Sequence, residues 1–574
     1  MKMVRKKFIL TVITPAVMLA MIIAACSDDF LDTSDSETLS SGTFPARLAD
    51  VELLVNDVYG RLRNGSLEAY QQARVGYSAA HYADLAFNDN NFKAGATIEF
   101  SPTGEDPGWI WDRHYENVTR CNSTLNAINR LREAGVTDTE LETLNYREGE
   151  VRFIRAFNYY YLINYFGETA IAQPSDANQR GVPIVEDIAT SLEESRVERS
   201  TVGEVWDFIK NDLEQAAVLL ANKTWEGNDR ARVDIWAIRS FLGKAHVFTQ
   251  NWAEARTVLQ DVIDNSGKSL VSYDVYRDMF LGEADFNSES IFEMNFNDTE
   301  LTSGWTTQAN AITYLPVLIS PTYDGGCNGF CNFVVHNKSI QRFGWTDTTT
   351  IDYFRNDYVT FSRQVRQDQS VDPRLWVGAQ QPAVDSVIID NEASAIAKNE
   401  GLGDPGMYGW SFRKFTLTTR SVWSGPAETA FNIFWLRLAD VYLLYAEAHA
   451  NGGDNGTALE YINKVKRRAY GLDPDAPSAI DYNSLSAPTS ASPGDHLAND
   501  PLRYERWAEL FAEQTSWWFD IIRWKIGQEE TDYYEKVAQP AGEDGTLRWR
   551  DSKYALPIPQ TQINAFNIGQ NPGY

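Results

Sequence analysis

Three glutamates spaced four residues apart, Glu505, Glu509 and Glu513, could form a catalytic cluster in this 574-residue sequence. Four-residue spacing places side chains on one face of a helix, and two nearby carboxylates can act as general acid and base in hydrolysis. The same spacing is typical of a solvated or arginine-paired face, and Arg503 and Arg506 are adjacent. The sequence also lacks a G-x-S-x-G motif, so neither arrangement gives clear support for an enzyme.

The six histidines do not follow a metal-binding pattern. No two of them are spaced as in H-E-x-x-H, and the sequence has no glycine-rich phosphate loop. His246 and His449 occupy matching positions of an internal repeat, which favours a packing role for both. We therefore predict no metal site and no cofactor. The formal net charge of −28 disfavours binding to nucleic acid.

Aromatic residues in irregular, polar segments could bind sugars. The chain has 17 Trp, 27 Tyr and 28 Phe, and several lie outside the predicted helices. A flat ring covers the apolar face of a sugar, while Asn, Asp, Gln and Arg bond its hydroxyl groups. The candidates for ligand contact are Trp109, Trp305, Tyr314, Tyr323 and Trp345. For each of them, packing of its own loop against the scaffold is the alternative.

Cys327 and Cys331 stand in a glycine-rich segment. Their C-x3-C spacing could close a small disulfide loop in an oxidising compartment, and a pair of free thiols is the alternative. A zinc site would need two further ligands, and only His336 is near. Cys121 lies in a helical pattern and is expected to be a buried thiol.

The first 25 residues have the layout of a bacterial lipoprotein signal. Four cations precede an apolar stretch from Phe8, and the small pair Ala24-Ala25 stands directly before Cys26. A cationic start and a short apolar segment are features of a cleaved signal, and acylation of the cysteine would anchor the protein to a membrane. A retained transmembrane helix, against which Pro15 argues, and a plain secretory signal are the alternatives.

Apolar residues recur with the period of a helix in the first part of the chain. The pattern begins near Leu48 and returns over 111–128, 151–163 and 203–222. The third of these helices is predicted to end at Phe166, because Gly167 is a good helix stop.

Two segments about 200 residues apart share the offsets of a tetratricopeptide repeat. The first, 236–263, contains Leu242-Gly243, and the second, 442–465, contains Tyr445-Ala446 at the matching place. The small residue would let two antiparallel helices approach closely. We predict two helix pairs separated by an insertion, with a further helix from Leu502 to Gly527.

The character of the sequence changes between residues 265 and 430. Gly, Asn, Thr and aromatic residues dominate there, with short strand-like pieces such as 290–296. We predict a signal at 1–25 and a tether at 26–44. A helical scaffold then comprises 45–264 and 431–574, and a loop-rich, ligand-facing region comprises 265–430. The predicted fold class is mainly α, with tetratricopeptide-like helix pairs and a loop-rich insertion that carries short strands.

The whole chain resembles the SusD/RagB family of outer-membrane nutrient-binding lipoproteins. The start of the mature chain and four internal motifs carry the resemblance, at residues 26–32, 148–167, 436–448, 503–524 and 556–574. The resemblance implies a superhelical scaffold of four tetratricopeptide-like helix pairs. It also implies an outer-membrane lipoprotein that faces the cell exterior, binds oligosaccharide and serves a SusC-like TonB-dependent barrel. The role implied is binding, so we predict that the protein is not an enzyme.

The resemblance also implies roles for individual residues. Arg152, Arg155, Glu447 and Arg523 are expected to hold helices together. Ligand contacts are expected from about 84–109 and 297–347, where Asp84 matches a recurrent aspartate of the family whose role could equally be structural.

Three other functions stay open on the sequence alone. A peptide ligand keeps the same fold and suits the acidic composition. A transporter scaffold without a ligand also keeps the fold, whereas a secreted glycosidase lacks a credible pair of carboxylates.

Overall fold

Paired helices form the framework of the computed structural model. The chain divides into two units, 1–51 and 52–574, and the first is described only at residues 45 and 47–51. The described residues are 45, 47–62, 74–79, 83–85, 98–296, 315, 319, 322–323, 326–327, 333–346, 358–368, 370–381, 384–389, 392–395, 410–416, 419–420, 432–513, 516–538 and 549–574.

Most α-helices occur in two long runs of the described chain, and three shorter helices, within 337–378, lie between these runs. They are α1 (Leu48–Leu62), α2 (Glu105–Ala134), α3 (Asp138–Phe166), α4 (Val202–Leu219), α5 (Ile235–Phe248), α6 (Trp252–Asn265), α7 (Tyr273–Asp278), α8 (Asn337–Arg342), α9 (Tyr358–Asp368), α10 (Leu375–Gly378), α11 (Leu438–Asn451), α12 (Asn455–Ala469), α13 (Pro501–Glu509), α14 (Ser516–Trp524), α15 (Gly527–Ala538) and α16 (Gln560–Phe566). Short 3₁₀ or π segments lie at Arg74–Ala79, Pro174–Asn178, Gly227–Ala231, Met279–Leu281 and Asp551–Tyr554.

The two predicted tetratricopeptide-like pairs are confirmed as α5 with α6 and α11 with α12. A Cβ atom on Gly243 would lie 2.3 Å from Leu259 Cδ2, so the close approach of α5 and α6 depends on glycine. In the second pair, Ala446 packs with Leu443 and Ile462 in a buried apolar cluster. Helix α6 also packs against α11, so two segments far apart in sequence form one helical stack.

Buried ion pairs join neighbouring helices. Arg155 Nε donates to Asp212 Oδ2 at 2.7 Å and Arg152 Nη1 donates to Asp212 Oδ1 at 2.9 Å, which connects α3 to α4. Arg523 forms a bidentate pair with Glu447 at 2.6 and 2.7 Å, which connects α14 to α11. The structural role predicted for these arginines and Glu447 is therefore confirmed.

The predicted stop of α3 is confirmed, whereas the continuous helix from Leu502 to Gly527 is wrong. Helix α3 ends at Phe166, and the Gly167 N–H donates to the Ile163 carbonyl at 2.9 Å. Helix α13 ends at Glu509, and Ala512 adopts a left-handed conformation with φ of 60°. The chain turns there before α14, so Glu513 does not share a helix with the two preceding glutamates.

Short strands lie mainly between the two helical runs, in agreement with the predicted fold class. They are β1 (Ala83–Leu85), β2 (Ser290–Met294), β3 (Thr322–Tyr323), β4 (Gly326–Cys327), β5 (Phe333–Val335), β6 (Ala379–Gln380), β7 (Ser386–Ile389), β8 (Glu392–Ala395), β9 (Ser411–Phe412), β10 (Thr419–Arg420) and β11 (Ile433–Arg437). The pairs β1–β5, β2–β11, β3–β4, β6–β9 and β7–β8 are antiparallel, whereas β7–β10 is parallel.

The pairing of β2 with β11 attaches the loop-rich region to the scaffold. Strand β11 leads directly into α11, and Arg437 at its end lies opposite Ser290 at the start of β2. The boundaries predicted at 264 and 430 remain predictions. No helix of the described segments is both long and apolar enough to cross a membrane.

Candidate functional site

The two segments predicted to face ligand meet through backbone pairing. Strand β1, which contains Asp84, pairs with β5, so that Asp84 lies opposite Val334. The Val335 N–H donates to the Trp410 carbonyl at 2.8 Å, and β9 follows Trp410 directly and pairs with β6. Four segments that are far apart in sequence therefore share one patch. We call β1, β5, β6 and β9, with the exposed side chains beside them, the candidate ligand surface. The described side chains of β5, β6 and β9 are themselves buried, so ligand contacts would have to come from the neighbouring side chains.

For several predicted site residues, the structure describes no contact with this surface. Tyr323 lies in β3 and Cys327 in β4, where Thr322 is opposite Cys327. The remaining predictions of lipidation, ligand contact and disulfide formation concern Cys26, Trp305, Tyr314 and Cys331, which lie outside the described residues. They remain predictions. Cys121 is a buried free thiol, as expected, and burial raises its pKa.

Trp345 is fully buried and so has no exposed face for a sugar. Its ring meets Trp410 edge-on at 5.2 Å and Trp376 at 6.4 Å between ring centroids. We call Trp345, Trp376 and Trp410 the tryptophan cluster. The enclosed ring corresponds to the packing alternative, although its two ring partners belong to the loop-rich region rather than to the helical scaffold. Trp345 is therefore removed from the proposed ligand contacts.

Trp376 is the member of the tryptophan cluster that reaches the surface, and it is not among the site residues predicted from the sequence. It is half-buried, and the Arg366 guanidinium lies 4.0 Å from its ring centroid. Arg366 pairs with Asp385 at 2.8 Å, and their side chains are 30% and 28% exposed. Trp410 also stacks on the Trp376 ring, with 5.8 Å between the ring centroids. The exposed part of the ring therefore lies beside a cation and a carboxylate, which are groups that can bond sugar hydroxyls. Its position after Pro373, in a Trp-containing irregular segment, was the available sequence signal.

Unpartnered polar groups lie next to the same cluster. Asp385 Oδ2 accepts the Gln381 backbone N–H at 2.6 Å, which holds Gln381 near Arg366. Both amide atoms of the Gln381 side chain and the Trp410 indole N–H are buried without a hydrogen-bond partner among the described residues. Buried polar groups normally find a partner, since leaving one unpaired costs about 1–3 kcal/mol. Gln381 and Trp410 are themselves 0% exposed, so a buried water is the partner that these groups can reach.

Trp109 lies on α2 and is the only exposed tryptophan of the described segments, with 41% of its surface accessible. The Arg113 guanidinium lies 4.9 Å from its ring centroid and also pairs with Glu116 at 2.8 Å. Trp109 thus retains accessible ring area, as its predicted role requires. None of its described contacts reaches the tryptophan cluster.

The glutamate cluster forms a buried ion network, which confirms the arginine-paired interpretation. Arg437 contacts Glu509 at 2.6 Å and Glu513 at 2.8 Å, while Arg374 contacts Glu505 at 2.6 Å. The partners are therefore not the adjacent arginines of the sequence. All three carboxylates are buried, so substrate has no access to them in this conformation.

Within the network, the pKa values of Glu505 and Glu509 are shifted in opposite directions. Burial alone would raise the pKa of Glu509, but Arg468 and Arg437 hold it at about 2. Burial raises the pKa of Glu505, despite its pairing with Arg374. Across the described part of the chain, no group of three or more His, Cys, Asp or Glu side chains is placed to hold a metal ion.

Both halves of the chain match known protein families. Residues 288–574 match the SusD family, and residues 29–246 match a family described as starch-binding associating with outer membrane. With this fold and these matches, the chain belongs to the SusD family.

Individual relatives share the fold at low sequence identity. A SusD-like protein of Bacteroides ovatus is 23% identical over 530 residues, which cover 88% of this chain and 81% of the relative. The crystal structure of a SusD-like protein from Bacteroides fragilis has a TM-score of 0.70 at 19% identity, over 93% of this chain and 99% of that one. Surface glycan-binding protein A from Bacteroides thetaiotaomicron, solved with laminarihexaose, has a TM-score of 0.63 at 19% identity, over 91% and 99%.

Proposed function

We propose that the protein is a cell-surface lipoprotein that binds oligo- or polysaccharide and delivers it to a SusC-like TonB-dependent barrel. The carrying observation is the pairing of β1 with β5, because it brings the two predicted ligand segments to one patch. Membership of the SusD family and the laminarihexaose complex of a structural neighbour support a glycan as the ligand. Trp376, Arg366 and Asp385 supply the ring and the polar groups.

The protein acts by binding rather than by chemistry in this proposal. The glutamate cluster is enclosed by arginines and a lysine, so its charges stabilise the fold. Cys26 carries the acyl chains, and the segment 26–44 tethers the folded part to the outer membrane. The description of the second matched family supports this location. Loss of membrane association in a Cys26→Ala variant would be expected, and full retention would contradict lipidation at this position.

Affinity electrophoresis in polysaccharide gels tests the proposed surface. Trp305→Ala and Trp376→Ala should each lose glycan retardation, because each removes a proposed stacking ring. Trp252→Ala is the matched control, since Trp252 is also half-buried but lies on α6 of the helical scaffold. Circular dichroism verifies that all three variants are folded.

The outcome pattern distinguishes the possible functions. Loss of retardation in Trp305→Ala or Trp376→Ala alone would identify the contacting ring. Unchanged retardation in both would place the glycan site elsewhere, with Trp109→Ala as the next variant. Binding of peptides in place of every glycan would contradict the proposal and favour the peptide-uptake alternative.

A further inference from the structure

A groove on the helical part of the chain lies outside the candidate ligand surface. Helix α2 forms one side, the segment 183–197 forms the other, and residues near α16 close one end, around a volume of about 760 Å³. We call it the α2 groove. Its apolar lining includes Trp111, Tyr115, Ile184, Ile188, Phe566 and Ile568.

Hydrogen bonds hold the outer wall of the α2 groove in place. Tyr115 Oη donates to the Pro183 carbonyl at 2.7 Å, and Asn122 Nδ2 donates to the Val185 carbonyl at 2.8 Å. The Val185 N–H in turn donates to Tyr159 Oη at 2.7 Å. The start of this wall is thus attached to both α2 and α3. A groove that is already formed binds a partner with a smaller entropic cost of ordering.

The most exposed apolar side chains of this region are aliphatic, whereas Tyr115 and Phe566 are half-buried. Ile188 is 43% exposed and Leu192, in the same segment, is 66% exposed. The Trp111 ring is almost fully buried and packs against Tyr115 and Phe166 at 4.8 and 5.0 Å between centroids. Sugar recognition uses accessible ring faces, whereas exposed aliphatic groups fit apolar side chains of a protein partner.

The charges of the α2 groove have one sign. Asp112, Glu186, Asp187 and Glu194 line it, and no lysine or arginine belongs to the part of its lining that the structure describes. None of these four carboxylates has a basic side chain within 4.0 Å among the residues that the structure describes. Partial desolvation raises the pKa of Asp112, although Gln562 donates a hydrogen bond to it at 2.9 Å. A cationic group from outside would complement this rim.

We propose that the α2 groove binds a partner-protein segment in which branched apolar side chains are flanked by lysine or arginine. The apolar side chains would cover Ile188 and Ile184, and the cations would face Glu186 and Asp187. No residue of the groove's described lining belongs to β1, β5, β6 or β9 or to the tryptophan cluster.

Fluorescence anisotropy with the purified full chain in detergent tests this proposal. The probe is a labelled 12-residue peptide of alternating leucine and lysine, and the control peptides replace leucine by serine or lysine by glutamate. Ile188→Ser and Glu186→Lys should each weaken binding of the probe by roughly tenfold. Val218→Ser and Glu214→Lys are matched controls on α4, since Val218 is 78% exposed and Glu214 is exposed, and they should retain affinity.

Several results would overturn the proposal. One is equal weakening by the groove variants and their α4 controls, because the peptide would then respond only to the overall negative charge. Equal affinity of the serine peptide and the probe would show that the leucine side chains contribute nothing to binding, which contradicts the proposed apolar contact. Displacement of the probe by a glycan would assign the groove to the glycan site instead. Raising the salt concentration should weaken the affinity for the probe peptide several-fold without abolishing binding. Complete loss of binding at high salt would exclude an apolar contact.

Discussion

Replacement of Arg437 by methionine should destabilise the protein strongly, because this side chain neutralises several buried carboxylates. Arg437 is 2% exposed and lies 2.7 Å from Glu289, 2.6 Å from Glu509 and 2.8 Å from Glu513. Its Nη2 also donates to the Glu509 carbonyl at 2.8 Å. Methionine fills much of the volume but supplies no charge and no donor. The three carboxylates would then share only the remaining cations of the network.

The expected cost is about 3–5 kcal/mol, the range for breaking a buried ion pair by removing one partner. Arg550→Met is the matched control, because Arg550 pairs with Glu99 at 2.8 Å while the two side chains are 58% and 55% exposed. Loss of an exposed pair should cost less than about 1 kcal/mol. Because both variants replace arginine by methionine, a difference between their costs reports the burial of the ion pair.

Urea unfolding at neutral pH measures the difference as a shift in midpoint, provided that the slope with denaturant is unchanged. At acid pH, the difference in the free energy of unfolding between Arg437→Met and the wild type should become smaller. The low pKa of Glu509, about 2 against an ordinary 4.5, stabilises the fold above pH 4.5, and this stabilisation is lost as pH falls towards 2. Equal costs for Arg437→Met and Arg550→Met would refute the prediction that burial makes the ion pairs of Arg437 costly to break.

Two further changes test the packing of single residues. Burial lowers the pKa of His114 to about 3, and its Nδ1 lies 2.9 Å from Asn158 Oδ1, so stability should fall from pH 6.5 towards 3 by up to about 1.4 kcal/mol per pH unit. His114→Gln should reduce that slope in urea titrations at pH 7, 6 and 5, and an unchanged slope would assign it to other groups. Gly243→Ala should cost about 1–3 kcal/mol because its Cβ would clash with Leu259. Gly456→Ala, whose Cβ would meet nothing closer than 3.6 Å, is the control, and equal effects in thermal unfolding would contradict the close approach of α5 and α6.

The helical scaffold could be predicted from local signals. The small residues Gly243 and Ala446 stand at matching repeat offsets, and Gly167 marks a helix end. Each of these signals lies within a short stretch of sequence, so a local pattern is enough to recognise it. The surroundings of Trp345 could not be predicted in this way. Its ring is enclosed by Trp376 and Trp410, and no local pattern records that these segments meet.

The buried charges show the same limit. Four-residue spacing correctly indicated that Glu505 and Glu509 share a helix face, but their arginine partners come from distant segments. Arg374 stands in the loop-rich region and Arg437 ends β11, so only the tertiary fold brings them to the glutamates. The turn at Ala512 that removes Glu513 from the helix has no proline or glycine to announce it.

Isothermal titration calorimetry of the purified full chain tests the proposed function most directly. The chain is titrated with laminarihexaose, maltohexaose, other oligosaccharides and a mixture of peptides, and each glycan is recovered and analysed by chromatography. We expect saturable binding of at least one glycan class, with the glycan recovered intact. Binding of peptides alone, or recovery of a shortened glycan, would contradict a glycan-binding protein without catalytic activity.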